Sequence, residues 1–193
     1  MTDLTTSEVS AVLDLDERRV RKDVEHGVFE DIDTPPRFDL PAIVYLHTVA
    51  HLGIDLGVED RKRLYRQLVV AIRGGTRKVL ELSEYLTLRL EAALAVVEQR
   101  LGEFDAWKQT LVVRPDILGG EPAFPRSRLA VRHIGELARR GASVDAIRED
   151  YPSLSRRDIE LAKRYVAAYP RLGRPRAGDA RANRRQITSG GPA

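Results

Sequence analysis

The chain is punctuated at short intervals by signals that start and stop helices, and that spacing leaves room for little except short helices joined by tight turns. Thr5 can cap a first helix, with Glu8 three residues on reaching back to the cap amide. Val9, Val12 and Leu13 give this helix one apolar face. Asp14-Leu15-Asp16 interrupts, and a second helix is predicted from about Glu17 to His26, stopped by Gly27. After the break at Asp33-Thr34-Pro35-Pro36, Pro41 suits the first turn of a third helix running to about Leu52. A fourth covers Val58 to Arg73, with Leu64, Leu68 and Ile72 four apart, and Gly74-Gly75 ends it.

The middle of the chain is patterned differently. Val79, Leu80 and Leu82, then Tyr85, Leu86, Leu88 and Leu90, flank Ser83-Glu84. This reads as a short β-hairpin, although apolar runs of that length also suit a helix. From Glu91 to about Trp107 the residues Leu90, Leu94, Val97, Leu101 and Phe104 follow a four-three-four-three spacing. That seam lasts about two heptads, short of the three or four that argue for a coiled coil. One core-facing helix is the plainer reading, and a dimer seam the sharper one.

The last third is the most legible. Val112-Val113-Arg114-Pro115-Asp116 leads into a turn at Leu118-Gly119-Gly120-Glu121-Pro122. A helix is predicted from about Ser127 to Arg140, with Val131, Ile134, Leu137 and Ala138 inward and a stop at Gly141. Ser143 caps a short helix through Glu149, closed by Tyr151-Pro152. Ser155 and Asp158 form a box-type cap for a last helix with Ile159, Ala162, Tyr165, Val166 and Tyr169 on one side. The expectation is a mainly α protein. It has an N-terminal helix-turn-helix unit over 1–75, a hairpin with a linking or dimerisation helix over 76–111, a trihelical domain over 112–170, and a flexible arginine-rich tail over 171–193.

Composition narrows the function classes. With 42% hydrophobic and 32% charged residues the chain reads as soluble and globular, and no stretch approaches the roughly 18 apolar residues of a membrane span. The acidic Met1-Thr2-Asp3-Leu4 start lacks the character of a secretory signal. Without cysteine there are no disulfides, thiolate metal sites or cysteine nucleophiles, and a cytoplasmic protein is expected. The net charge of +3 is unevenly spread. Arg171 to Ala193 holds six arginines against one acid, Asp179, a net of +5, so the rest of the chain sums to −2.

The basic second helix gives the first candidate DNA reader, with Arg18, Arg19, Arg21 and Lys22 as contacts and Asp23 and Glu25 diluting the patch. Arginine can bond guanine bidentately, whereas Lys22 suits a phosphate. The second candidate is the helix after Ser155, with Arg156, Arg157, Lys163 and Arg164 placed among Asp158 and Glu160. A trihelical unit can equally serve as an interaction module. Operator recognition usually uses two-fold symmetry, so a homodimer is expected. His47 and His51 lie four apart, but with no Cys nearby and no Glu beside His47 a structural role is favoured over metal binding. Gly119-Gly120 lacks the glycines of a phosphate-binding loop, and Trp107 reads as core. No spacing of Ser, His and Asp marks a triad. The reading is of a protein with no catalytic site, no metal and no cofactor.

The stretch from Val112 to Pro170 resembles a bacterial domain-of-unknown-function family, numbered four-three-three. The residues that carry this are Arg114-Pro115-Asp116, Gly119-Gly120-Glu121-Pro122, Arg128, Val131, Gly141, Ile147, Asp150-Tyr151-Pro152-Ser153-Leu154, Asp158 and Ile159. Pro125-Arg126-Ser127-Arg128 stands where the family pattern has an Arg-Gly-Thr-Arg turn. The N-terminal helix pair is similar to the DNA-reading domains of the excisionase and MerR kind. The resemblance implies an antitoxin of VapB type that represses its own operon and neutralises a PIN-type ribonuclease toxin. Such a nuclease holds Mg²⁺ with carboxylates, and guanidinium groups fork onto carboxylates. Arg174, Arg176, Arg181, Arg184 and Arg185 are then the toxin-binding residues, with a nonspecific basic tail as the plain alternative. A stand-alone regulator without a toxin partner is one rival reading, and a small hydrolase or nuclease on a helical scaffold is a second.

Overall fold

Capping chemistry sets where the helices begin. A computed structural model describes residues 3–30, 32–75, 79–84, 86–116 and 118–171. Helix α1, Thr6–Leu13, opens on the Thr5/Glu8 capping box, and α2, Glu17–Glu25, opens on Asp16, whose carboxylate accepts from the Arg18 amide. Gly27 follows with φ +62°, a conformation glycine adopts at no steric cost. Helix α3, Leu40–His51, is capped by Asp39, and α4, Val58–Arg73, ends at Gly74. Strands β1, Val79–Ser83, and β2, Leu86–Arg89, form the antiparallel hairpin, pairing Leu80 with Leu88 and Glu81 with Thr87. The chain is therefore mainly helical with one short hairpin, as the pattern predicts.

The long helix α5, Leu90–Thr110, carries the heptad-spaced residues into the protein's own interior. Leu90, Leu94, Val97, Phe104 and Trp107 are buried there, so the core-facing reading describes this seam. After a 3₁₀ turn at Leu118–Gly120 come α6, Val131–Arg139, α7, Val144–Asp150, and α8, Arg156–Ala168, which opens on the Ser155/Asp158 capping box. Helix α6 starts four residues later than predicted. Ala123 bridges to both Val112 and Ala130, and the Ser127 hydroxyl donates to the Phe124 carbonyl, so the backbone before Val131 is committed to bridges and a turn. The tail from residue 172 onward, with its predicted flexibility and its arginines, lies outside the described residues.

Two apolar cores result. One gathers α1 to α4 and the hairpin around Phe29, Phe38, Tyr45 and Tyr65, whose rings meet edge-on at 5.1–5.8 Å. The other gathers α6 to α8 around Trp107, Phe124, Val131, Ile134 and Ile159. Helix α5 serves both, giving Leu90, Leu94 and Val97 to the first and Phe104 and Trp107 to the second. Helix α1 serves both as well. Val9 and Leu13 enter the first core, Val12 enters the second, and α1 lies directly against α8.

The closest helix contact is α6 on α8, which Gly135 permits. A Cβ there would press on the Ala162 carbonyl and come 2.8 Å from Val166 Cγ1. Gly135→Ala is expected to cost at least ~1–3 kcal/mol, the usual scale of overpacking. Gly102 of α5 faces open space, so Gly102→Ala is expected to stabilise by up to about 1 kcal/mol through helix propensity. Urea unfolding followed by the fluorescence of Trp107, the single tryptophan, checks both. Equal stability of wild type and Gly135→Ala would contradict the close crossing.

Candidate nucleic-acid interface

Helix α2 is held to the rest of the protein by little apolar surface. Its buried side chains are Val20 and Asp23. Asp23 is 1% exposed and faces inward, accepting from the Tyr45 hydroxyl at 3.2 Å and from Arg61 Nη1 at 3.0 Å. Arg61 Nη2 also reaches Asp55 at 3.0 Å. Burial, and then the facing Asp23 carboxylate, push the Tyr45 hydroxyl above the ordinary phenol range, so it stays a donor. Asp23 therefore does not dilute the outer face of α2, contrary to the reading from sequence. Its partners come from α3 and α4, far away in sequence.

With Asp23 turned in, the outer surface of α2 is dominated by cations. Arg18, Arg19, Arg21 and Lys22 are all exposed. Arg19 donates to the Val49 carbonyl at 3.0 Å, and Arg21 pairs with Glu17 at 2.6 Å, one turn back. Arg18 and Lys22 bond no described side chain. A cleft of about 640 Å³ runs along this side of α2, walled by Arg18, Arg19 and Lys22 and by Ala50, Gly53 and Ile54 across from them. The two acids at its edge are occupied, Asp16 as the cap of α2 and Asp55 by Arg61.

The second predicted set is differently placed. Arg156 pairs with Asp145 of α7 at 3.0 Å, and Arg157 with Glu103 of α5 at 2.9 Å. Asp158 completes the α8 cap and also accepts from Trp107 Nε1 at 3.0 Å. Both arginines are thus tied to neighbouring helices, and α8 is buried against α1 and α6. Its solvent side carries Arg156, Arg157, Glu160 and Lys163. Arg174, Arg176, Arg181, Arg184 and Arg185 lie outside the described residues, so they are not placed with either set.

His47 and His51 sit ring on ring at 4.3 Å, and His51 Nδ1 lies 2.8 Å from the His47 carbonyl oxygen. Among the described residues no cluster of three or more metal-ligating side chains forms. Burial first, then the neighbouring His51 and Arg100, lowers the His47 pKa from 6.5 to about 4. No helix among the described residues is long and apolar enough to cross a membrane.

Part of this chain has known relatives. The family model described as "Protein of unknown function (DUF433)" matches residues 111–166, the stretch from the end of α5 into α8. A protein of Sinorhizobium fredii described as "Uncharacterized protein y4eO" is 34% identical over 93 residues, which is 48% of this chain. The chain spans 42% of that relative's length. No solved structure matches.

Two outcomes are expected. Asp23→Ala leaves the partly buried Arg61 and the Tyr45 hydroxyl without their shared carboxylate and is expected to cost about 3 kcal/mol, whereas Asp23→Asn keeps one acceptor oxygen where the carboxylate has two and costs less. Urea midpoints compare them, and a neutral Asp23→Ala would mean the pair does not hold α2. For His47, a base whose folded pKa is depressed, the unfolded chain takes up the proton first. Stability is therefore expected to fall as pH drops from about 6.5 to about 4. An NMR titration should place its ring well below the ordinary histidine range, and His47→Leu should flatten the pH dependence.

Proposed function

We propose that this chain is a non-catalytic DNA-binding protein of the VapB antitoxin kind, which represses its own operon through α2 and binds and inhibits a PIN-type ribonuclease through the arginines beyond α8. One observation carries the DNA half. The inward turn of Asp23 leaves Arg18, Arg19, Arg21 and Lys22 as the outer surface of a short helix, reached through a three-residue connection from α1. A cationic helix presented in this way suits a major groove, with arginine forks available for guanine edges and lysine for phosphate. Two-fold operators call for a homodimer, and both partners place the protein in the cytoplasm.

The toxin half has separate support. Residues 111–166 match a family described only as of unknown function, so this half rests on the resemblance of that stretch to antitoxin domains and on the sequence beyond α8, which offers six arginines against one acid. Guanidinium groups forked onto metal-binding carboxylates would compete with Mg²⁺ for the nuclease centre. The chain's own chemistry would then be steric and electrostatic, with no bond made or broken.

The test is co-purification of the full chain, and of a chain ending at Pro170, with the product of the adjacent gene, followed by a Mg²⁺-dependent nuclease assay. The full chain is expected to hold and silence a nuclease, and the shortened chain to bind it at least tenfold more weakly. In parallel, Arg18→Gln/Lys22→Gln is expected to weaken binding to the DNA upstream of the gene by tenfold or more. Upstream DNA binding without any nuclease partner would replace the antitoxin reading with that of a stand-alone regulator. Failure of both would end the proposal.

A further inference from the structure

A second cleft opens at the start of α2, and it is built partly by α8. It holds about 370 Å³ between the α1–α2 connection and α8, with Ser10, Asp14 and Glu17 on one wall and Glu160, Lys163 and Arg164 on the other. Lys163 is exposed and Arg164 half-buried, and neither bonds any described residue. They differ in this from Arg156 and Arg157 of the same helix, which are taken up by Asp145 and Glu103. The Ser10 hydroxyl, on a residue 7% exposed, lines the same cleft and has no hydrogen-bond partner among the described residues.

Acids are present too. Glu17 is engaged by Arg21 and by the Ser7 hydroxyl, while Asp14 and Glu160 stand beside the cations and subtract from their field. What favours an anion here is reach. Lysine and arginine carry their charge on long stems that extend past shorter carboxylates toward a ligand lying across the mouth of a cleft.

The start of α2 thus borders two clefts, each with cations that have no partner among the described residues. A helix seated in the major groove has a sugar–phosphate strand on either side, and contacts to those strands fix its register. We infer that Lys163 and Arg164 are phosphate contacts on the strand flanking α2, so that the C-terminal unit takes part in DNA binding without reading bases. This rests on α2 being the DNA-binding helix. It assigns α8 a role distinct from that of a second reader, and it explains why the cations nearest α2 are the unpaired ones.

Phosphate binding has its own signature. Neutralising one cation that sits on a phosphate lowers the slope of log K against log salt by about 0.9 and weakens binding uniformly across sequences. The experiment measures binding of the full chain to a labelled mixed-sequence duplex over a range of salt concentrations. Four proteins are compared: wild type, Lys163→Gln/Arg164→Gln, Arg156→Gln/Arg157→Gln and Arg18→Gln/Lys22→Gln. The first double variant is expected to show a slope shallower by about two while its circular dichroism stays that of wild type, and the Arg156/Arg157 variant to keep the wild-type slope. If wild type binds, α2 substitution weakens it, and Lys163→Gln/Arg164→Gln leaves the slope untouched, the inference falls while DNA binding by α2 stands. If wild type binds no duplex, or α2 substitution has no effect, the reading of α2 and the inference fall together.

Discussion

Helix α1 is eight residues long, roughly 12 Å at 1.5 Å per residue, and two hydrophobic cores depend on it. Val9 and Leu13 lie one turn apart on the face toward the first core, while Val12, offset by a third of a turn, enters the second. The helix is held at both ends. Its start is fixed by the Thr5/Glu8 box. At its other end, Arg100 of α5 donates to the Leu13 carbonyl at 2.8 Å, and Asp14 closes the helix in the left-handed conformation. Because α2 begins three residues later, whatever fixes α1 against α8 also fixes where α2 stands relative to the C-terminal helices.

The second constraint is electrostatic. Taking Asp23 out of water costs several kcal/mol, which the Arg61 pair and the Tyr45 hydroxyl offset only if the geometry is kept. Such a pair contributes little net stability compared with an apolar substitute of the same volume, but it is directional. A helix anchored only by Val20 and a half-buried Val24 could roll, whereas one whose carboxylate is gripped from α3 and α4 has a defined outward side. The arrangement trades stability for orientation, a sound exchange for a helix whose outer side chains must meet a partner in one register.

Much of this was legible in advance because capping and turn signals are local. The Thr5/Glu8 and Ser155/Asp158 boxes, Gly27 and Gly74 mark helix ends from interactions within a few residues, and the elements fall where those residues put them. The later start of α6 was hidden because Ser127 is as good a cap as Ser143 by type. What decides is Ala123, which pairs across to both Val112 and Ala130. The inward Asp23 was hidden for the same reason at longer range, since Tyr45 and Arg61 lie 22 and 38 residues away. One local hint existed: Asp23 is three residues after Val20 and next to Val24, so it sits on the apolar side of its own helix.

The division of the cations follows from the same distinction between local and distant partners. Composition counts Arg156, Arg157, Lys163 and Arg164 as one basic run, yet α8 turns about 100° per residue and distributes them over different neighbours. Those near α5 and α7 find Glu103 and Asp145 and become struts between helices. Those facing the α1–α2 connection meet a cleft and keep their charge available. The same sorting operates on α2, where Arg21 is drawn back to Glu17 and Arg19 to a backbone carbonyl, leaving Arg18 and Lys22. A basic patch in sequence is therefore a pool of cations that the fold divides between internal pairing and external contact. The cations left over on α8 border a cleft shared with the α1–α2 connection, and those on α2 border a cleft within the N-terminal helices.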